Sequence, residues 1–409
     1  MVDRTRLRAT MRRAEADLRR NILPFWIEHA VDHERGGFYG VVTNDLTVRP
    51  EAPRGALLTS RILWTYAAAY RRYQDPAYLE MADWAFEDLL GRFWDAEHIG
   101  LYWMVGADGE LIRPRKQLYG QAFGIYALAE YYAATKNDIA LETAQAIFRA
   151  IEEHAYDPAN KGYFESFNRA WQITEDVRLS AVDLNEMKSM NTHLHVMEAF
   201  TNLMRVWPDP LLKARQIELL DVMTTHIIHP ETHRMTLFFD ETWAPRSPHV
   251  SYGHDIEASW LLVESTEVVG DPHLHTKAEG IAVKMAQAVY DEGRDPDGGI
   301  VYESGPEGLI DATKQWWPQA EAAVGFLNAY QISGTPHFLA ASLSSWDFIE
   351  AYLIDHDHGE WLRYVERDLT RPAGDDEDHA KVSFWKCPYH NGRACMELTE
   401  RLHKLLATL

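Results

Sequence analysis

The sequence has few of the features that mark secreted or membrane proteins. It has only two cysteines among 409 residues, Cys387 and Cys395, which is too few for a disulfide framework. No apolar run approaches the roughly 20 residues that are needed to cross a bilayer. The first 20 residues are basic but contain no apolar core, so we expect no signal peptide. The sequence therefore predicts a cytoplasmic protein without a membrane segment.

Positive charge is also scarce. The chain has 40 Lys and Arg against 62 Asp and Glu, which gives a formal net charge of −22. Binding to nucleic acid or to an anionic membrane requires a basic face that neutralises phosphates. We therefore expect neither nucleic acid nor a membrane as a partner.

Motifs of several catalytic classes are missing. The sequence contains no glycine-rich phosphate loop, no GxSxG elbow and no HExxH. The segment FWKCPYHNGRAC (384–395) places His390 between the two cysteines, but a structural zinc site normally has a fourth ligand at similar short range. Proton transfer needs no thiol, so a Cys387 nucleophile is not favoured either. We predict that the protein uses no metal ion.

Aromatic residues are abundant, and they take part in a repeat. A short phrase of glycine and aromatic residues recurs at intervals of roughly 60 to 75 residues, a spacing that indicates a repeat architecture. The copies are GGFYG (36–40), IGLYW (99–103), KGYFE (161–165), GGIVYE (298–303) and HGEWL (358–362), with MTLFFD (235–240) in the remaining gap. The sequence therefore predicts six units.

The stretches between these phrases show helical spacing of apolar residues, with two helices in each unit. We predict an all-α fold in which twelve helices form six hairpins. An open solenoid is the alternative, but neither end carries an obvious polar capping repeat. The sequence favours a closed (α/α)6 barrel that occupies residues 1–409 as a single domain.

Such a barrel would bring the starts of its six inner helices together at one mouth. Each start carries polar or aromatic residues that suit a plain core poorly. They are Arg61, Tyr119, Gln121, Asn191, His195, His254, Glu257, Trp316, Trp317, Glu321, Trp385, His390 and Asn391. A single buried histidine or arginine is more often structural, but six occurrences at equivalent places in a repeat indicate an active-site funnel.

The residue types in this funnel favour proton transfer on a sugar. Histidines can remove and return protons near neutral pH, and an arginine can stabilise a developing enolate oxygen. His193 and His195 point about 200° apart on a helix, so we select His195, which shares a face with Asn191. His254 and Glu257 are three residues apart, and we expect the carboxylate to orient that imidazole.

Four stretches that contain residues of this funnel closely resemble signature stretches of cellobiose 2-epimerases. Those enzymes belong to the N-acylglucosamine 2-epimerase superfamily. The four stretches are MNTHLHVMEAFTNL (190–203), HVSYGHDIEASWLL (249–262), WWPQAEAAVGFLNAYQ (316–331) and FWKCPYHNGRACMEL (384–398). The resemblance runs from about residue 20 to residue 405. It implies an (α/α)6 barrel that epimerises, without cofactor or metal, the reducing-end glucose of β-1,4-linked disaccharides at C2. Cellobiose would give glucosyl-mannose, and lactose would give epilactose.

The resemblance also implies residue roles. His254 and His390 would be the two bases of a cis-enediolate mechanism, His195 would assist ring opening, and Arg61 would hold the enediolate oxygen. The substrate-binding residues would be Tyr119, Asn191, Glu257, Trp317, Glu321 and Trp385. One departure is Pro318, which stands where the family usually has an aliphatic residue, and it puts the sugar preference in question.

Other functions stay open at this point. Relatives act on mannose, as a 2-epimerase or as a mannose–fructose isomerase, or on N-acylglucosamine, through the same enediolate. Glycoside hydrolases share the barrel but need two carboxylates across the scissile bond. A non-catalytic binding protein is disfavoured by the intact histidine trio. We expect a sugar as the ligand and a monomer or homodimer as the assembly.

Overall fold

A computed structural model describes residues 3–372 and 379–408. The helices of this part of the chain are α1 (Arg4–Asp17), α2 (Leu23–His29), α3 (Ala56–Tyr73), α4 (Pro76–Asp88), α5 (Leu118–Thr135), α6 (Asp138–His154), α7 (Met190–Val206), α8 (Pro210–Val222), α9 (Tyr252–Val269), α10 (Pro272–Glu292), α11 (Trp316–Ser333), α12 (Pro336–Phe348) and α13 (Tyr389–Thr408). A π-helical turn joins α1 to α2, and similar turns extend α4, α8 and α12.

Local sequence explains where the outer helices begin. The side chains of Asp75, Asn137, Asp209 and Asp271 accept hydrogen bonds from the first backbone N–H groups of α4, α6, α8 and α10. Side-chain acceptors at this position satisfy N–H groups that have no partner within the helix. A proline follows in the first turn of α4, α8 and α10, where its missing N–H costs nothing.

Six helices form a closed inner ring. Within the described residues, each inner helix packs against the next one in the order α3, α5, α7, α9, α11 and α13. The ring closes because α13 also packs against α3. This closure confirms the predicted (α/α)6 barrel and contradicts the open solenoid. Five helix pairs are consecutive hairpins, from α3–α4 to α11–α12, whereas α13 pairs with α1 from the other end of the chain.

The glycine–aromatic phrases mark the turns that follow the outer helices. Through an isolated bridge, each phrase pairs with a residue that lies one or two positions beyond the end of the preceding outer helix or its π-helical turn. The bridges are Val31–Phe38, Trp94–Leu101, Tyr156–Tyr163, Ile228–Met235, Arg294–Ile300 and Ile354–Trp361. The repeat that the sequence predicted is therefore present in all six units, including MTLFFD, which lacks the glycine.

Short strands carry the chain from each turn toward an inner helix. They are β1 (Arg54–Gly55), β2 (Met104–Val105), β3 (Leu111–Arg113), β4 (Lys116–Gln117), β5 (Ser166–Phe167), β6 (Lys188–Ser189), β7 (Phe238–Phe239), β8 (Val250–Ser251), β9 (Glu303–Gly305), β10 (Gly308–Asp311), β11 (Lys314–Gln315) and β12 (Tyr364–Val365). The strand before an inner helix pairs, antiparallel, with the strand that follows the next outer helix, as in β4 with β5 and β6 with β7. These pairs form a rim around the N-terminal ends of the inner helices.

Buried ion pairs reinforce this rim. In five units, an aspartate of the turn binds a basic residue, which lies two residues before the next inner helix in four of them and eight residues before α13 in the last. These turn ion pairs are Asp32–Arg54, Asp95–Lys116, Asp157–Lys188, Asp295–Lys314 and Asp355–Lys381. The fourth unit has His229 and Val250 at these two positions, and it instead pairs Arg234 of the turn with Asp255 of α9, at 3.5 Å.

The inner helices are buried on nearly all sides, as expected for a layer between a cavity and an outer ring. In the ranges 3–372 and 379–408, no helix is long and apolar enough to cross a membrane.

Candidate active site

The mouth formed by the inner helix N-termini contains a cavity of about 240 Å³. Most of the residues predicted for the funnel line it. They are Arg61, Tyr119, Asn191, His195, His254, Glu257, Trp316, Trp317, Trp385 and His390. Glu321 is not in the lining, but it lies directly behind His390, with Oε1 2.7 Å from the Nδ1 atom. Six separate helices therefore supply one site.

Arg61 is buried, with 3% of its surface exposed, and it extends from α3 toward α5 and α13. Its Nη2 donates to the Tyr119 hydroxyl at 2.6 Å, and its Nη1 donates to the Trp385 carbonyl at 3.4 Å. The guanidinium also lies 4.2 Å from the centre of the Phe123 ring. Since these partners are neutral groups, its positive charge is available to a developing oxyanion in the cavity.

His195 is held by a carboxylate on its own helix. Its Nδ1 lies 2.8 Å from Glu198 Oε2, and Glu198 is one turn further along α7. A carboxylate can only accept, so Nδ1 carries the proton and Nε2 keeps a lone pair. The Tyr119 ring packs edge-on against the imidazole, with centroids 5.0 Å apart.

His390 is held in the same way, but by a carboxylate from another helix. Nδ1 bonds to Glu321 of α11 at 2.7 Å, and Glu257 Oε1 lies 3.8 Å away. Glu321 Oε2 in turn accepts from Trp260 Nε1 at 2.9 Å. Its oxygens thus receive several N–H donors, which fixes the ring of His390 with Nε2 as the atom that is left for chemistry.

His254 contradicts one prediction. Its Nδ1 bonds to the Ser251 hydroxyl at 2.7 Å, and not to Glu257. Glu257 instead bonds Arg393 Nη2 at 2.7 Å. A spacing of three residues places two side chains on one face of a helix, but here Arg393 from α13 provides a stronger, charged partner for the carboxylate.

Burial keeps these imidazoles neutral. It lowers the pKa of His254 to about 3, and it lowers the pKa of His195 despite the opposing effect of Glu198. Burial likewise lowers the pKa of His390 well below its usual range, and Arg61 and Arg393 lower it further. Neutral imidazoles at pH 7 are competent general bases.

Two tryptophans flank the histidines. The Trp317 ring lies 4.6 Å from the His254 ring and 5.5 Å from the His390 ring, measured between centroids. Trp385 packs edge-on against Tyr119 at 6.1 Å and Trp103 at 6.2 Å. The cavity therefore presents apolar ring surface beside the titratable groups.

Three residues near the helix starts serve the fold. Gln121 bonds the backbone of Leu101 through both ends of its amide, at 2.7 and 2.8 Å. His193 accepts from the Tyr163 N–H at 2.9 Å, which confirms its assignment as structural. Asn391 donates to Glu360 at 2.6 Å and is absent from the cavity lining.

The cysteines are buried and hold no disulfide. Cys395 lies inside α13, where burial raises the pKa of its thiol well above the usual range. Glu257, Glu321 and His390 offer ligand atoms within 4.8 Å of one another, a spacing that could hold a metal ion. However, Arg393 Nη2 already lies 2.7 Å from both carboxylates, and its charge opposes a second cation there.

Sequence reasoning missed two charged residues beneath the cavity. Glu198 and Arg393 follow His195 and His390 by three residues, the same spacing that drew attention to Glu257 after His254. Applying that spacing to every histidine of the funnel would have found both.

It also missed the loop at 168–187, between β5 and β6. Leu179, Ser180, Val182 and Asp183 of this loop line the cavity. A second cavity of about 430 Å³ adjoins the first and is here called the side cavity. Leu179, Val182 and Asp183 line it as well, whereas Ser180 does not. The loop has no helical periodicity and no repeated motif, so the sequence offers no signal for its position.

Glu165 lines the side cavity and is buried without a charged hydrogen-bond donor. Its oxygens accept from the Ser189 N–H and the Thr192 hydroxyl, both at 2.7 Å. These donors belong to the start of α7, the helix that carries Asn191 and His195. Burial raises the pKa of Glu165 to about 7.

Comparisons with known proteins agree with this geometry. The family model described as N-acylglucosamine 2-epimerase (GlcNAc 2-epimerase) matches residues 36–387. A cellobiose 2-epimerase from Bacteroides fragilis is 44% identical over 385 residues, which cover 94% of this chain and 97% of that protein. A cellobiose 2-epimerase from Dictyoglomus turgidum is 38% identical over 387 residues, with coverage of 94% and 97%.

Solved structures show the same relationship. The structure of a cellobiose 2-epimerase from Bacillus thermoamylovorans matches with a TM-score of 0.91 at 39% identity, covering 96% of this chain and 100% of that chain. The resemblance that the sequence indicated is confirmed. The chain belongs to the N-acylglucosamine 2-epimerase family, and it is a carbohydrate epimerase, which makes it an isomerase.

Proposed function

We propose that the protein epimerises the reducing-end glucose of β-1,4-linked disaccharides at C2 without a cofactor. One observation carries the proposal. His254 and His390 line the same cavity, contact the same Trp317 ring, and each have Nδ1 engaged by a partner. Two imidazoles beside one bound ring can act on opposite faces of one carbon.

The proposed reaction begins with opening of the sugar ring, assisted by His195. One neutral imidazole of the His254–His390 pair then removes the C2 proton and leaves a cis-enediolate. Arg61 stabilises the negative oxygen, because its hydrogen bonds to neutral partners leave its charge uncompensated. The other imidazole, protonated by solvent water, delivers that proton to the opposite face of C2, and the first imidazole then releases the abstracted proton to solvent. General acid–base catalysis of this kind contributes roughly 10²–10⁴ in rate.

Two polar atoms support a sugar as the ligand. Asn191 Oδ1 and Glu257 Oε2 are buried, belong to residues that line the cavity, and accept no hydrogen bond from the described residues. Buried acceptors are nearly always satisfied, and sugar hydroxyls are suitable donors. Tyr119 would help to position the same sugar through its hydroxyl, which Arg61 fixes.

A disaccharide fits better than a single sugar because apolar ring surface lies on two sides. Trp317 lies beside the histidines, and Trp385 lies near Tyr119, so each could stack on one sugar unit. The relatives with 34–44% identity are named cellobiose 2-epimerases, which supports the same substrate class. Pro318 follows Trp317 directly, and it is the residue by which the sugar preference could differ.

The test is NMR of the protein in D₂O with cellobiose, lactose and mannose in separate samples. We expect deuterium at C2 of the reducing-end sugar of cellobiose and lactose, with the C2 epimer as product. Formation of a ketose would indicate the alternative, a mannose-type aldose–ketose isomerase, and C2 exchange on mannose alone would indicate a mannose 2-epimerase. Release of monosaccharide without deuterium would indicate hydrolysis and overturn the proposal.

We also propose that the protein acts in the cytoplasm, as a single-domain monomer or homodimer. Its buried, unpaired cysteines suit a reducing compartment. Light scattering of the purified protein gives the oligomeric state directly, and a mass above that of a dimer would contradict this proposal.

A further inference from the structure

A cluster of four charged residues lies at the floor of the cavity, and one of them, Glu257, is part of the lining. The cluster consists of Glu198 from α7, Glu257 from α9, Glu321 from α11 and Arg393 from α13, and all four are at most 3% exposed. Here it is called the buried cluster. Arg393 is the centre of it, because it bonds all three carboxylates. Nη2 lies 2.7 Å from both Glu257 and Glu321, and Nη1 donates to Glu198.

Two of these carboxylates are the ones that orient histidines. Glu198 holds Nδ1 of His195, and Glu321 holds Nδ1 of His390. Arg393 is therefore one side chain away from both imidazoles, although it touches neither. Aromatic rings fix its own position, with Tyr389 at 4.3 Å and Trp260 at 4.6 Å from its guanidinium carbon.

We propose that Arg393 is a positioning residue that links the orientations of His195 and His390. By holding both carboxylates on one rigid guanidinium, it makes each imidazole present Nε2 to the cavity. Ring opening and C2 proton transfer, which the proposed function assigns to these two histidines, then depend on the same arginine. The inference rests on that proposed function.

The geometry of guanidinium is what allows the link. Its planar fork of N–H donors binds more than one carboxylate in fixed directions, whereas a lysine ammonium acts as a single compact charge. Displacements of about 1 Å at a catalytic group can cost 10² in rate. A lysine at this position would keep the charge but hold fewer of the three carboxylates in place.

Arg393 also affects the protonation of His390. Burial is the largest cause of the lowered pKa of this imidazole, and the charges of Arg61 and Arg393 lower it further, which keeps the imidazole in its basic form. Removing the charge raises that pKa, so the acid limb of kcat/KM moves to higher pH. The titratable and charged groups that face this region are Arg61 (α3), Tyr119 (α5), His195 and Glu198 (α7), His254 and Glu257 (α9), Glu321 (α11), and Tyr389 and Arg393 (α13).

The experiment separates the two partial reactions in the full-length protein. Enzyme-catalysed mutarotation of cellobiose reports ring opening, and deuterium incorporation at C2 reports proton transfer. We expect Arg393→Met to lower both by about 10², and Arg393→Lys to lower both by about 10-fold. Glu321→Gln should lower C2 exchange much more than mutarotation, because His195 keeps its own carboxylate.

The pH profile distinguishes positioning from a general loss of structure. Arg393→Met should shift the acid limb upward, whereas Arg393→Lys, which keeps the charge, should leave it in place. Arg401→Met is the matched control. Arg401 lies on the same helix and near the same Trp260 ring, at 5.8 Å, but its partners are Glu397, Asn328 and Gln331. We expect wild-type rates and an unshifted limb from it.

Wild-type mutarotation in Arg393→Met and Arg393→Lys, with or without a loss of C2 exchange, would overturn the link between the two histidines. If Arg393→Met does not fold, Arg393→Lys alone decides, since equal losses in both reactions are required of it as well. Failure of the proposed function looks different: the wild-type protein itself would show no deuterium at C2 with any of the three sugars.

Discussion

The barrel buries charged side chains in two regions, and the arrangements differ. At the rim, each turn ion pair is built on one aspartate and one basic residue, as in Asp157 and Lys188 at 2.8 Å, and further charges join some of these pairs, such as Arg169 at Asp95. At the floor of the cavity, three glutamates share the single Arg393. Among the residues that the structure describes, the first arrangement recurs around the ring, whereas the second occurs once and lies against the candidate catalytic histidines.

This difference separates structural charge from functional charge. A balanced pair, isolated from the cavity, offers nothing that a substrate could change. The buried cluster is unbalanced, and burial together with the nearby Glu321 raises the pKa of Glu257 well above its usual range. Perturbed carboxyl groups next to neutral imidazoles are typical of sites that move protons.

The largest expected effect is a loss of turnover when a histidine of the cavity is replaced. His254→Asn or His390→Asn should lower C2 deuterium exchange by about 10²–10⁴, because each removes one base. Folding should change little, since each variant removes only one side-chain hydrogen bond, from His254 to Ser251 or from His390 to Glu321. Exchange is measured by ¹H NMR in D₂O, and melting temperature by circular dichroism. Full exchange in both variants would contradict the two-base mechanism.

The next largest effect is a loss of stability when a turn ion pair of the rim is broken. Lys188→Met leaves Asp157 buried without its cation, and breaking a buried pair in this way costs about 3–5 kcal/mol of unfolding free energy. Urea unfolding measures that loss. Turnover per folded molecule should stay near wild type, so a large fall in kcat at temperatures where the variant is folded would show that the two regions are not separate.

Glu165 differs from the carboxylates of both regions, because it is buried and its hydrogen-bond donors are all neutral. Its pKa of about 7 in the folded protein exceeds the ordinary value of 4.5, so the folded state keeps a proton that the unfolded state releases. The contribution of protonated Glu165 to the free energy of unfolding is therefore complete below pH 4.5 and is lost as the pH rises through 7. Glu165→Gln should remove about 1–3 kcal/mol of the fall in unfolding free energy between pH 5 and pH 8.

The control for this variant is Glu142→Gln, on the exposed side of α6. It should retain the wild-type pH dependence, measured as urea unfolding at both pH values. An identical fall in Glu165→Gln and the wild type would show that Glu165 is ionised at neutral pH in the folded protein.

The smallest effect concerns metal. Arg393 occupies the place between Glu257 and Glu321 that a cation would take, so prolonged dialysis against EDTA should leave C2 exchange unchanged. Activity that falls on dialysis and returns with Mg²⁺, Mn²⁺ or Zn²⁺ would show that the buried cluster binds metal.

The repeat made most of the fold predictable from the sequence. Because the glycine–aromatic phrases mark turns of one kind, their spacing predicted six units, and the helical periodicity between them predicted two helices each. The sequence did not show that α1 pairs with α13. That contact joins residues at opposite ends of the chain, and no local pattern records it.

The site was predictable where a residue lies at a helix start, as His195 and Arg61 do. Contacts between side chains on different helices were not predictable. His390 bonds Glu321 and Glu257 bonds Arg393, and both contacts depend on how neighbouring helices pack. The expected pair of His254 with Glu257 failed for that reason, since local spacing gave no warning of a competing arginine.

The reversed pair of the fourth unit limits how this barrel can be rearranged. Recombination between repeats could exchange one turn for another, since five turns present an aspartate to a basic residue. In the fourth unit, such an exchange would replace Arg234 and leave Asp255 buried without its cationic partner, and Val250 carries no charge to pair with the incoming aspartate. Buried charges without a partner oppose folding. The segment adjoining His254 is thus the one that cannot be copied from its neighbours.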